Sequence, residues 1–132
     1  MFFFLSLSFV SIQFDSIFAI NNGFKKVRPV IEPFKFPQSL HQSQRYNLLC
    51  TVVKGDPPIK VEWFKDGQRL LMGSLPRTNI IHVTDYSVTL AFESVQTDHR
   101  GNYTCIASNG AGSSSHSASM IIHGQLLKKK LR

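Results

Sequence analysis

Four residues at fixed separations constrain the fold of this chain more than any other feature. Cys50 and Cys105 are its only cysteines, Trp63 follows the first by thirteen residues, and Tyr103 precedes the second by two. This spacing is typical of a small core in which two sheets face each other around one large aromatic ring. We therefore predict an all-β fold, a two-sheet antiparallel sandwich.

The hydrophobic pattern predicts short strands and no helices. Along residues 46–53, apolar and other side chains alternate with a period of two, which indicates a half-buried strand. The same alternation predicts strands around Val61 and Trp63, around Val88, Leu90 and Phe92, and around Tyr103 and Ala107. Asp66-Gly67 and Asn109–Gly112 predict hairpin turns, with residues 69–72 as the return strand of the first.

The outermost strands are marked less clearly. Pro29, Pro33 and Pro37 punctuate the first extended segment, and proline is tolerated on edge strands but not on central ones. We therefore expect an edge strand here, broken near Pro37. Ala118, Met120 and Ile122 mark the last strand.

The two ends of the chain differ from its middle. Residues 2–12 form an apolar run with the length of a signal-peptide core, too short to span a bilayer. We expect a signal peptide at 1–19, a linker at 20–28, the folded domain at 29–123 and a basic tail at 124–132. No other segment has 18 or more apolar residues, so we expect no transmembrane segment in this chain.

The positive charge of the chain lies mostly outside the expected domain. The net charge of the whole chain is +7, but residues 28–123 carry nine Lys and Arg against seven Asp and Glu, which leaves +2. A domain that binds nucleic acid concentrates basic residues on a folded face. We therefore expect no nucleic-acid partner.

No arrangement of residues points to catalysis or to a metal. The five histidines are scattered over separate predicted strands and turns, and none forms a zinc-type cluster with a cysteine. No nucleophile, base and carboxylate motif and no phosphate-binding glycine loop is visible. We expect neither an enzyme nor a cofactor. Free thiols and metal ligation remain the less favoured alternatives for the two cysteines.

Residues 28–123 resemble domains of the immunoglobulin superfamily, of the intermediate (I-set) type. The matching pattern is Cys50, Trp63, the stretch 90–95 and the stretch 101–105. The resemblance implies an immunoglobulin-like sandwich with one disulfide between its sheets, formed by Cys50 and Cys105. It also implies core positions for Trp63 and Leu90, and a hydrogen bond from the Tyr103 hydroxyl to the loop before its strand.

Longer stretches are similar to the Down syndrome cell adhesion molecule family, particularly its arthropod members. These are residues 33–37, 54–58, 61–67 and 101–109. One position departs from the superfamily pattern. An aspartate usually lies four residues before the corner tyrosine and pairs with an arginine, whereas this chain has His99 there, next to Asp98.

The resemblance implies an extracellular binding module for cell–cell adhesion and recognition. The resemblance implies a protein partner, with homophilic binding within the same family as one form of it. It also implies a role in neuronal wiring and axon guidance or in arthropod immunity. Two alternatives remain: a soluble, secreted single-domain protein that captures a ligand, and a structural spacer domain of a longer chain. The candidate contact regions are the proline-bearing first strand and two loops, which consist of Lys54, Gly55, Asp56, Pro57 and Pro58, and of Asn109, Gly110, Ala111 and Gly112.

Asn102-Tyr103-Thr104 forms a sequon for N-linked glycosylation. Asn102 alternates with Tyr103 along the predicted strand, so its side chain should point outward if Tyr103 points into the core. The sequence thus makes Asn102 a candidate attachment site in a secreted glycoprotein.

Overall fold

The computed structural model describes residues 25–123, which form two four-stranded antiparallel sheets. The first sheet has the order β1-β2-β6-β5 and the second has the order β4-β3-β7-β8. The expected signal peptide and the expected basic tail lie outside the described residues. The strands are β1 (Val30–Ile31), β2 (Tyr46–Lys54), β3 (Lys60–Lys65), β4 (Gln68–Arg69), β5 (Thr78–Thr84), β6 (Ser87–Phe92), β7 (Gly101–Asn109) and β8 (Gly112–Met120).

The core lies between the two sheets and is closed by a disulfide. Cys50 on β2 is bonded to Cys105 on β7, so the bridge links the first sheet to the second, and the predicted sandwich with an inter-sheet disulfide is confirmed. Trp63 is the cross-strand neighbour of Cys105 and is 1% exposed. Its indole Nε1 donates to the Val88 carbonyl of the opposite sheet at 3.2 Å. Leu90 and Tyr103 are also fully buried in this core.

A corner of the chain precedes β7 and is held by buried hydrogen bonds. A short 3-10 helix, Thr97–His99, leads into it, and the Tyr103 hydroxyl donates to the His99 carbonyl at 2.5 Å. The His99 ring is fully buried, and its Nδ1 accepts from the backbone N–H of Gln96 at 2.9 Å. The hydrogen therefore lies on Nε2, which donates to the Pro76 carbonyl at 2.7 Å.

Three strands differ from the expected boundaries. β1 is only two residues long, and beyond it the Glu32 N–H still donates to the Thr51 carbonyl at 2.9 Å before Pro33 follows. β4 ends at Arg69 rather than at Met72, since the backbone turns at Leu71, whose carbonyl accepts from Ser74 N–H at 2.9 Å. β8 begins at Gly112, includes the serine-rich stretch before Ala118 and ends at Met120, so it does not reach Ile122 as expected.

Within residues 25–123, no helix is long and apolar enough to cross a membrane.

Candidate binding surfaces

The two candidate loops lie together at one end of the sandwich, and the side chain of Asn109 joins them. Its Nδ2 donates to the carbonyls of Val27 at 2.7 Å and of Asp56 at 2.9 Å. Its Oδ1 accepts from the N–H groups of Ala111 at 2.8 Å and of Gly112 at 3.2 Å. One amide group therefore connects the N-terminal segment, the β2–β3 loop and the β7–β8 turn.

The N-terminal segment is bound to the β2–β3 loop at two further points. Val27 N–H donates to Asp56 Oδ2 at 2.6 Å, and Asp56 N–H donates to the Val27 carbonyl at 3.0 Å. Gly55 has a φ of +132°, and a Cβ there would lie 2.8 Å from Pro29 Cα, so only glycine fits this close approach. Pro57 and Pro58 remain exposed on the outer side of the loop. The structure thus presents the two predicted loops as one fastened surface.

The outer face of the first sheet is a second surface, which the sequence interpretation did not select. Leu49 on β2, Thr89 on β6 and Ile81 on β5 lie in one row across this face. Leu49 and Ile81 are each 46% exposed, whereas Thr89 between them is only 8% exposed, so the two larger side chains cover it. Val53, two outward positions beyond Leu49 along β2, is also exposed.

The side chains that β2, β5 and β6 contribute to this outer face are uncharged. On one side of the row of Leu49, Thr89 and Ile81 lies a row of Asn47, Ala91 and Asn79. On its other side, Thr51 pairs with Ser87. The outward positions of β2, β5 and β6 named here include no Asp, Glu, Lys or Arg. Glu93 lies at one margin, where its carboxylate accepts from Asn79 Nδ2 at 2.7 Å. We use the name first-sheet face for the outward residues of β2, β5 and β6, without Glu93. They are Asn47, Leu49, Thr51, Val53, Asn79, Ile81, Ser87, Thr89 and Ala91.

The outer face of the second sheet has a different chemistry. Along β8, the exposed side chains are the four alternate serines 113, 115, 117 and 119. They lie opposite outward residues of β7, with Asn102 beside Ser119 and Thr104 beside Ser117. The hydroxyls of Thr104 and Ser117 are 2.6 Å apart. We call this serine-lined surface the second-sheet face, and its side chains are small and polar.

A groove of about 1430 Å³ opens along the side of the sandwich where β4 and β5 form the sheet edges. Leu70 and Ile80 line its apolar part, and exposed Leu71 and Met72 stand at its rim. Charged groups also line it, including Glu62, whose carboxylate lies 2.6 Å from Arg69 Nε. The groove therefore offers mixed apolar and charged contacts.

Residues 25–123 contain no group of three or more His, Cys, Asp or Glu side chains placed to hold a metal ion. The five histidines occupy separate places, at positions 41, 82, 99, 116 and 123, and His116 Nε2 lies 2.8 Å from the Phe34 carbonyl.

The sequence contained one signal for the first-sheet face that the predictions did not use. On β2, Leu49 and Val53 are apolar although they point away from the core.

Comparison with known proteins gives consistent relatives. A family model described as an immunoglobulin domain matches residues 28–109. The chain is 39% identical over 94 residues to the cell adhesion molecule Dscam2 of Drosophila melanogaster, covering 70% of this chain and 4% of the relative. It is 42% identical over 97 residues to the cell adhesion molecule DSCAM of Homo sapiens, covering 74% of this chain and 5% of the relative. The chain thus spans a small fraction of the length of these relatives.

Solved structures agree with the sequence relatives. The Dscam1 Ig7 domain, isoform 5, superposes with a TM-score of 0.68 at 30% identity, covering 72% of this chain and 96% of that domain. Isoform 9 of the same domain gives a TM-score of 0.68 at 28% identity, with 73% and 100% covered. The family match, the relatives and the sandwich described above lead to one conclusion: this chain belongs to the immunoglobulin domain family and resembles the domains of Dscam-type cell adhesion molecules.

Proposed function

We propose that this domain is an extracellular recognition module that supports cell adhesion by binding a second copy of itself through the first-sheet face. Its relatives are named as cell adhesion molecules, and a structural disulfide such as Cys50–Cys105 forms in an oxidising compartment. The biological settings that the resemblance implies are neuronal wiring and arthropod immunity.

The lack of charge on the first-sheet face is the observation that carries the proposal. In a two-fold contact, each residue meets the same surface of its partner, so a face with charges of one sign would repel its own copy. The outward positions of β2, β5 and β6 avoid this repulsion, and Leu49, Val53 and Ile81 offer apolar area to bury. An exposed apolar patch of this kind on a domain surface is typical of a protein interaction site.

The fastened loops provide a second contact region in this proposal. Lys54–Pro58 and Asn109–Gly112 present exposed Pro57, Pro58 and Gly110 from a backbone that internal hydrogen bonds already hold. Because their polar groups are bonded within the domain, we assign these loops a supporting role at the rim of a contact. The first-sheet face supplies the apolar centre.

The test is aggregation of beads that display many copies of the folded domain, since multivalent display makes a weak self-contact measurable. Leu49→Lys places a like charge on both partners, and we expect beads carrying it to remain dispersed. Leu49→Glu alone should do the same, whereas a mixture of Lys beads and Glu beads should aggregate again. Ser115→Lys, which adds the same charge on the second-sheet face, is the matched control and should aggregate like the parent domain.

The outcomes separate the proposal from its rivals. Aggregation of Leu49→Lys beads at the parental rate, with an unchanged melting temperature, would overturn the assignment of the first-sheet face. If Lys54→Glu disperses the beads instead, the loops are the principal contact.

The groove beside β4 and β5 favours a second candidate function, a secreted protein that captures a ligand. The apolar side chains of Leu70, Leu71 and Met72 along this groove are the observation behind it. That function would be established if the domain captured a soluble ligand, if Met72→Glu abolished the capture, and if the beads did not aggregate. If the domain shows neither bead aggregation nor ligand capture, the remaining function is that of a spacer domain.

A further inference from the structure

Asn102 combines a sequon with an open setting in the folded domain. It is exposed near the start of β7, immediately after the buried corner that Tyr103 and His99 close. Its Oδ1 accepts from Ser119 Oγ at 3.4 Å, and no hydrogen bond joins its Nδ2 to another residue of the described range. The amide nitrogen, which is the atom that carries an N-linked sugar, is therefore the free end of the side chain.

The third residue of the sequon lies on the same face. Thr104 follows Asn102 by two positions along β7, so both side chains point outward from the second sheet. Asn102-Tyr103-Thr104 is also the one Asn-x-Ser/Thr sequence in the 132 residues of the chain, because the other asparagines are followed two residues later by Gly, Phe, Leu, Ile or Ala.

The surroundings leave room for a large substituent. Across the strand boundary, Asn102 faces Ser119 and Thr104 faces Ser117, so the neighbours on β8 are small. The backbone at this point is firmly held: Asn102 N–H donates to Asp66 Oδ1 at 2.9 Å, and Asp66 N–H donates to the Asn102 carbonyl at 2.8 Å. A group attached to the side chain would extend into solvent without displacing a packed residue.

We propose that Asn102 carries an N-linked glycan, and that this glycan covers the second-sheet face and leaves the first-sheet face as the one open to protein partners. In the reaction, Asn102 Nδ2 forms a bond to the anomeric carbon of a lipid-linked oligosaccharide. The bond from that carbon to the phosphate oxygen breaks, the lipid pyrophosphate leaves, and the amide loses one proton to solvent. A glycan is bulky and hydrophilic, so it obstructs protein contact over the surface around it. The second half of this proposal rests on the proposed function, and the first half does not.

The attachment is tested by mass. The chain is secreted from eukaryotic cells, and its intact mass is measured before and after treatment with peptide N-glycosidase. We expect a mass excess that the enzyme removes and that Asn102→Gln and Thr104→Ala both lack. Thr104→Ser keeps the sequon and should keep the excess, and Asn79→Gln should leave it unchanged. A secreted parent chain at its bare polypeptide mass would overturn the proposal.

Peptide mapping identifies the site without any variant. Trypsin cleaves after Arg100, so the reduced protein yields a peptide in which Asn102 is the second residue. Peptide N-glycosidase converts a glycosylated asparagine to aspartate, and we expect this conversion at Asn102. Unmodified Asn102 throughout the secreted material would contradict the assignment.

Bead aggregation tests which face the glycan covers. Enzymatic removal of the glycan should leave the aggregation of parent beads unchanged, because Asn102 and Leu49 lie on opposite outer faces. Ile81→Thr creates a second sequon at Asn79, on the first-sheet face, and a glycan there should prevent aggregation. The double variant Asn79→Gln/Ile81→Thr loses the same apolar side chain but has no such sequon, so it should aggregate less than the parent and more than the glycosylated Ile81→Thr variant.

The two proposals fail separately. If the glycan is present by mass but parent beads never aggregate, the modification stands and the proposed adhesion fails. If beads bearing a glycan at Asn79 aggregate as well as the parent does, the assignment of the open face is wrong. If removal of the glycan at Asn102 abolishes aggregation, the second-sheet face takes part in contact and the covering role is wrong.

Discussion

Arg77 and Asp98 form an ion pair at the end of the sandwich opposite the Asn109 turn, with Arg77 Nη2 3.1 and 3.2 Å from the two carboxylate oxygens. The acid therefore lies one residue earlier than the superfamily pattern places it. His99 occupies the usual acid position, and its ring donates instead to the carbonyl of Pro76, the residue before Arg77. The corner is thus tied to the start of β5 twice, once by charge at the surface and once by a buried imidazole.

We predict that the buried imidazole contributes more to stability than the ion pair does. The side chains of Arg77 and Asp98 are 42% and 53% exposed, so solvent screens the pair and Arg77→Ala should cost less than about 1 kcal/mol. His99→Ala empties a fully buried site and leaves the Pro76 carbonyl with one donor fewer, which should cost about 3 kcal/mol. Urea denaturation of both variants measures the difference. A larger loss for Arg77→Ala would contradict this ranking.

We predict that the domain loses stability above about pH 10 through Tyr103. Burial raises the pKa of Tyr103 well above its ordinary range, and the charges of Asp66 and Asp98 raise it further. The unfolded chain then releases the phenolic proton at a lower pH than the folded chain, so unfolding becomes more favourable as the pH rises through the ordinary tyrosine pKa. Denaturant melts between pH 8 and about 11 should show this loss. The slope should be smaller in Tyr103→Phe, and an equal slope would count against it.

The disulfide and Trp63 should each account for a large part of the stability. Cys50 and Cys105 are 55 residues apart, and opening a loop of that length costs about 4 kcal/mol in the chain-entropy account. Replacing both cysteines with alanine should therefore destabilise the domain by about that amount.

Trp63→Ala should cost about 3–5 kcal/mol, because the ring fills the core and its N–H bonds to the opposite sheet. A change below about 1 kcal/mol in either variant would be incompatible with these roles.

Replacement of Asn109 should release the N-terminal segment. In Asn109→Asp the carboxylate still accepts from Ala111 and Gly112, but it can no longer donate to the carbonyls of Val27 and Asp56. We expect faster hydrogen exchange at the amides of Val27 and Asp56, with the amides of the central strands unaffected. Asn47→Asp, which makes the same chemical change on an exposed position of β2, is the control. Unchanged exchange at Val27 would show that Asp56 alone holds the segment.

Strand alternation predicted the centre of the fold because each central strand has one face against the core. β2, β3, β6 and β7 all place apolar side chains inward at every second position. The prediction that the strand after the Asp66-Gly67 turn extends to residue 72 was wrong for a local reason. Residues 70–72 are all apolar, but only Leu70 is buried, and the chain turns away at Leu71 with Ser74 Oγ accepting from its N–H at 2.8 Å.

β8 was incompletely predicted because its pattern is polar on both sides. The serines at 113, 115, 117 and 119 face solvent, while the inward positions carry Ser114, His116 and Ala118. His116 is accommodated because Phe34 packs against its ring, with the ring centroids 4.5 Å apart. That partner is 82 residues away in sequence, so no local pattern announces it.

The first-sheet face was only partly visible in the sequence. The apolar outward residues of β2 gave a local signal, but the central row forms only when the fold places Ile81 and Thr89 beside Leu49 from two other strands. The two candidate loops, by contrast, were visible as glycine- and proline-rich segments. What the sequence lacked was their junction through Asn109, which depends on how the two sheets place the loop ends.

The side chains of the first-sheet face also bear on how much freedom a partner would remove. Thr51, Val53, Ile81 and Thr89 are all β-branched, and side chains of this kind are restricted at χ1 by the strand itself. Long flexible side chains such as Lys or Glu lose far more rotamer freedom when a partner immobilises them. These four side chains, carried on a disulfide-linked sandwich, therefore lose little freedom in a contact, and more of the contact energy is retained as affinity.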